Sequence, residues 1–84
     1  MILLLKKLET ELKIRGFSKK TQSAYLFHNK RFLDFIKKNT DEIEVEDIKA
    51  YMAHLISDKG LKASSVGLAM SSLRFLYDEM MGKG

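Results

Sequence analysis

The sequence predicts an all-α protein, a compact four-helix bundle with short connections, and three observations carry that prediction. Apolar residues recur at three- and four-residue steps along most of the 84 residues, the spacing that lines one face of a helix. No proline interrupts the chain, and neither a sustained period-two alternation nor an Asn-Gly hairpin signal competes with the helical pattern. A glycine-centred phrase occurs twice, 44 residues apart, as Gly16-Phe17-Ser18-Lys19-Lys20-Thr21 and Gly60-Leu61-Lys62-Ala63-Ser64-Ser65. In each copy the glycine suits the left-handed position just past a helix end, and the small hydroxyls suit the start of the next helix.

The elements follow in order. The first helix is expected over about Ile2 to Arg15, with Leu5, Leu8 and Leu12 at helical spacing, Leu4 and Ile14 beside them, and Gly16 as its stop. The second starts at Ser18 and runs to about Lys38. Tyr25, Phe32, Phe35 and Ile36 share its apolar stripe, while Lys19, Ser23, Lys30 and Lys37 fall opposite. An acidic connection over residues 40–44 leads to a third helix at Val45 to Asp58, with Glu46 and Asp47 in the first turn and Val45, Ile48, Tyr51, Met52, Leu55 and Ile56 buried. The fourth spans about Ala63 to Met81, where Val66, Ala69, Met70, Leu73, Leu76, Tyr77 and Met80 repeat at core spacing.

Composition bounds the function. A single domain of 84 residues buries only about 60–65% of its unfolded surface, which leaves no room for a deep catalytic cleft beside a core. Without cysteine there is no disulfide framework and no thiolate metal site. The apolar opening at Met1 to Leu5 is too short for a signal segment, and no stretch approaches a membrane span, so the chain reads as soluble and cytoplasmic. His28 and His54 each stand alone, the serines have no evident base, and Tyr25, Tyr51 and Tyr77 sit on apolar stripes. No catalytic constellation, cofactor or metal is expected.

Charge is segregated along the chain. Residues 13–38 carry eight basic groups against Asp34, and residues 41–58 carry six acidic groups against Lys49. A basic side of this kind attracts a polyanion, and helix starts that carry hydroxyls and lysines are good seats for phosphate.

The stretch G-F-S-K-K-T-Q-S-A-Y-L-F-H-N-K-R-F-L-D-F-I, residues 16–36, resembles the opening of the core-binding, SAM-like domain of tyrosine recombinases, the phage integrases and Xer-type enzymes. V-E-D-I-K-A-Y-M-A-H-L (45–55), G-L-K-A-S-S-V (60–66) and S-S-L-R-F-L-Y (71–77) resemble its third and fourth helices in order and spacing. The resemblance implies a module that grips double-stranded DNA through its second and fourth helices. The strand-cutting domain is then expected beyond residue 84, and none of the tyrosines here is its nucleophile. Carried over, it makes Ser18, Lys19, Lys20, Thr21, Ser64 and Ser65 phosphate contacts. Lys30, Arg31 and Arg74 would add charge or reach base edges. Gly67 and Leu68 depart from the polar residues usual in the family at those positions. The implied parent is a tetramer on DNA, and the piece alone a monomer.

Other readings compete. A helical protein–protein module would use exposed Phe27, Leu68 and Phe75, and a small helix-turn-helix regulator would use the short Phe17-Ser18 connection. The second helix, roughly 20 residues, is long for the latter.

Overall fold

The computed structural model describes residues 2–82 and is all-helical over its regular elements. Helix α1 spans Ile2–Ile14, α2 Lys19–Ile36, α3 Val45–Ser57 and α4 Ala63–Arg74, with a single 3-10 turn at Thr40–Glu42 and a wider π turn, Phe75–Met80, continuing α4. Met1, Lys83 and Gly84 lie outside the described residues.

Both repeated glycines stand where sequence places them, at φ +78° for Gly16 and +64° for Gly60, a backbone region that costs other residues strain. After α1 the Gly16 amide donates to the Lys13 carbonyl at 3.0 Å and the Phe17 amide to that of Leu12 at 3.1 Å, the paired bonds of a Schellman cap. The apolar residue following each glycine, Phe17 or Leu61, then packs on the core. Phe17, Tyr25 and Phe75 form a three-ring cluster with centroids 5.6 to 5.9 Å apart, tying the first turn to α2 and to the end of α4.

The core gathers Leu8 and Leu12 of α1, Phe32 and Leu33 of α2, Ile48, Tyr51, Met52 and Leu55 of α3, and Ala69, Leu73 and Leu76 from α4 onward. Ile43, set among acidic residues and not assigned to the core by periodicity, is fully buried. Four residues expected in the core are instead more than a third exposed: Ile14, Phe35, Val45 and Ile56. Each lies at the margin of its stripe, where a rotation of 100° per residue carries the side chain past the packed neighbour. Helix α2 also ends at Ile36 and not at Lys38, because Lys37 turns left-handed at φ 52°.

One polar contact sits inside this core. Asn29 is fully buried on α2, and its Nδ2 donates to the carbonyls of Tyr25 (3.0 Å) and of Ser72 on α4 (3.1 Å). Buried Ser72 returns its own hydroxyl proton to the Leu68 carbonyl at 2.8 Å. A side chain inserted into a helix's hydrogen-bond ladder widens it. Beyond Arg74, at Phe75, α4 passes from α-helical to π-helical bonding, ending with the Met81 amide on the Leu76 carbonyl at 3.0 Å. Asn29 to Ser72 and Tyr25 to Phe75 run in opposite senses, so α2 and α4, the most extensively packed pair, are antiparallel. Replacing Asn29 by alanine strips two carbonyls of a donor and opens a hole. An Asn29→Ala variant should lose about 2–3 kcal/mol in urea unfolding, while Ser18→Ala, which removes only a cap, should lose about 1 kcal/mol.

Candidate nucleic-acid interface

The start of α2 is built by Ser18. Its extended backbone sets it at the N-cap, where Oγ accepts the Thr21 amide at 3.2 Å and donates to the Thr21 hydroxyl at 3.0 Å. Lys19 and Lys20 are exposed in the first turn beside it. Ser18, Lys19, Lys20 and Thr21 therefore stand together as one group at a helix N-terminus, and no carboxylate shares that turn.

The second phrase departs from the first. Lys62 occupies the N-cap of α4 with no side-chain hydrogen bond to the helix, and Ser64 and Ser65 lie within the first turn. The expectation that hydroxyls cap both helices is corrected here. Aligning the two phrases sets Lys62 against Ser18 and Ser65 against Thr21, so the register repeats while the capping oxygen does not. A lysine at this position opposes the positive end of the helix dipole. Helix α3 shows the contrast: Glu44 and Asp47 form a reciprocal capping box, with Glu46 in the same turn.

Antiparallel packing puts the two basic helix starts on opposite sides of the Asn29–Ser72 crossing. At 1.5 Å per residue, each lies about 10–16 Å from it. Lys30 and Arg31, adjacent in sequence, diverge. Lys30 lines a groove against α1 with Lys6 and Glu9, and it pairs with Asp34 at 3.1 Å. Arg31 turns toward α3, its guanidinium 5.4 Å above the Phe27 ring. Arg74 is exposed at the last turn of α4, near Ser71 and Asp78.

Along the outer face of α4 run Ser64, Gly67, Ser71 and Arg74, all exposed at helical spacing. A Cβ added at Gly67 would meet nothing within 4 Å, and Leu68 is 40% exposed. Phe75, expected at the surface in the protein–protein reading, is instead half-buried in the aromatic cluster. Arg15 lies 5.1 Å over its ring and pairs with Glu11 at 2.7 Å and Glu79 at 3.0 Å. Lys13 and Lys38 also meet carboxylates, Glu9 and Asp47. Half of the eight basic groups read as one basic side are thus engaged within the fold. The sequence reading missed Lys62, although the aligned phrases point to it.

Burial, and after it the nearby Arg31 charge, push the His28 imidazole below its ordinary 6.5. The folded state then binds fewer protons at His28 than the unfolded chain. Stability is retained above that value and falls as pH drops through it. Urea midpoints measured at pH 7.5 and 5.5 should differ more for the native chain than for His28→Gln.

Among the described residues no group of three metal-ligating side chains occurs, and no helix is long and apolar enough to cross a membrane. Comparison with known proteins agrees with the helical architecture. Over 71 residues the chain is 31% identical to y4qK of Sinorhizobium fredii (strain NBRC 101917 / NGR234), a protein named as a candidate integrase/recombinase; the match covers 84% of this chain and 23% of that protein. The chain therefore spans about a quarter of this relative's length. Residues 4–84 match the family described as phage integrase, N-terminal SAM-like domain, and with nearly the whole of its length accounted for, the chain belongs to that family.

Proposed function

We propose that this domain is the DNA-binding module of a site-specific recombinase of the tyrosine class, gripping duplex DNA through α2 and α4. The observation that carries the reading is electrostatic. At α3, where a helix start has only a structural task, the sequence supplies carboxylates; at α2 and α4 it supplies Lys19, Lys20 and Lys62 and no acid. Lysine at an N-cap works against the free helix, and becomes favourable once a phosphate takes the place of the missing capping oxygen.

The geometry supports the same partner. Lying about 10–16 Å from the α2–α4 crossing on opposite sides, the two helix starts are about 20–32 Å apart, so together they address phosphates beyond the rims of one major groove about 12 Å wide. Between them, the bare surface at Gly67 lets a sugar–phosphate backbone approach the α4 helix closely. In this arrangement Ser18, Thr21, Ser64 and Ser65 stand against phosphates, Lys19, Lys20, Lys30 and Arg31 add charge, and Arg74 reaches inward. The module binds without cutting. Cleavage belongs to a catalytic domain C-terminal to residue 84 in the parent, which assembles as a tetramer on two duplexes in the cytoplasm, while this piece alone is monomeric.

Titrating duplex DNA at low ionic strength should move backbone amide signals at 18–31 and 62–74. Unmoved signals in both segments would refute the reading. If about five phosphates are neutralised, log K falls against log salt with a slope near −4 to −5. Replacing Lys62 by serine separates function from structure: Lys62→Ser should gain about 1 kcal/mol of stability through a proper cap while binding DNA more weakly. Equal or tighter binding would place the phosphate elsewhere.

A further inference from the structure

We propose that the cleft between α2 and α3 seats a further phosphodiester of the bound duplex, making Lys59 and the Tyr51 hydroxyl DNA contacts alongside Arg31; this rests on the DNA-binding reading above. The cleft, about 340 Å³, is lined by Arg31, Asp34, Phe35, Tyr51, His54, Leu55 and Lys59. A second hollow of about 220 Å³ shares Arg31, Tyr51 and Lys59 and reaches Leu61, immediately before the α4 cap. Two cations and one phenol thus converge on a concave surface beside a helix start that already lacks its capping oxygen.

Tyr51 and Arg31 are held in place by their ring contacts, and Lys59 by its backbone alone. Tyr51 as a whole is 3% exposed, and its ring packs against Phe32 at 5.5 Å and Phe35 at 5.2 Å, which fixes where the hydroxyl points within the cleft wall. Burial raises its pKa above the ordinary 10.0 against a weaker opposing pull from Arg31, so the phenol keeps its proton and can donate it. The Arg31 guanidinium is steadied over the Phe27 ring. Lys59 belongs to the turn that Gly60 closes, where its amide donates to the His54 carbonyl at 3.2 Å. The carboxylates nearby have other partners: Asp34 pairs with Lys30 at 3.1 Å, and Asp58 bonds to the His54 ring at 2.8 Å.

Position along α2 makes the cleft continuous with the basic helix start. Lys20, Phe27 and Arg31 fall on one stripe of the helix, spaced by seven and four residues. Lys20 and Arg31 are therefore about 16 Å apart along the axis, somewhat more than the roughly 12 Å width of the major groove. One cation then serves a phosphate on each rim. An anion in the cleft receives planar donors from Arg31, a point charge from Lys59 and a neutral hydrogen bond from Tyr51.

Anisotropy titrations of a labelled duplex of arbitrary sequence, across about 50–200 mM salt, test this directly. Lys59→Ala and Arg31→Ala should each flatten the log K against log salt slope, and the two together by about 0.9, the loss of one neutralised phosphate. Tyr51→Phe keeps the buried ring and should weaken binding by about 3- to 10-fold with the slope unchanged, because the hydroxyl carries no charge. If Lys59→Ala and Tyr51→Phe bind like the native chain while Lys19→Ala and Lys20→Ala flatten the slope, the cleft proposal fails and the DNA-binding reading stands. If none of these variants changes either affinity or slope, the DNA-binding reading fails as well. Amide spectra of each variant establish that the fold is intact.

Discussion

Everything in this domain is placed by one side-chain amide working inside an apolar core. Asn29 reaches from α2 to the carbonyl of Ser72, and that bond allows a single register between the two longest-packed helices. Sliding α4 by one turn would leave the amide facing hydrocarbon, at a cost of about 1–3 kcal/mol for the unpaired group. An apolar residue at 29 would pack as well and specify less. Its Oδ1 is buried with no hydrogen-bond partner in the protein, so the selection of register already carries a desolvation cost. Through the ring cluster of Phe17, Tyr25 and Phe75, the same crossing fixes the first inter-helix turn and the end of α4.

A second theme is how unevenly the chain caps its helix ends. The capping box on α3 and the Schellman cap after α1 satisfy backbone groups with the residues best suited to it. The α2 start compromises, with serine at the cap and lysines behind it. The α4 start yields entirely, with lysine at the cap. In a domain this small, where total stability is a few kcal/mol, leaving one cap empty is a measurable concession, and it falls at a helix whose exposed face is otherwise plain. Surface ion pairs such as Lys30–Asp34 recover little of it, since exposed pairs contribute at most about 1 kcal/mol.

Much of this architecture was legible before the structure. Periodicity located all four helices, and the two glycines marked ends that the backbone realises with positive φ. What sequence could not resolve was rotation. Lys30 and Arg31 are neighbours in the chain, yet 100° of helical turn sends one to α1 and the other to α3. Which flank meets which helix depends on tertiary packing that no local pattern encodes. The same limit explains Phe75, which reads as exposed in α4 alone and acquires its cover from Phe17, in a turn 58 residues earlier. Ile43 has no periodic partners in its acidic segment, and Asn29 is a polar residue on an apolar stripe. Its spacing from Tyr25 and Phe32 held a clue that only the Ser72 carbonyl explains.

Gly67 also bears on how such a domain changes over time. Because nothing lies near the position a side chain would occupy, new residues can be installed there, and at exposed Ser64 and Ser71, without disturbing the interior. The outer face of α4 is thereby uncoupled from foldability. Lineages carrying this fold are free to redraw this surface by substitutions that the core never registers.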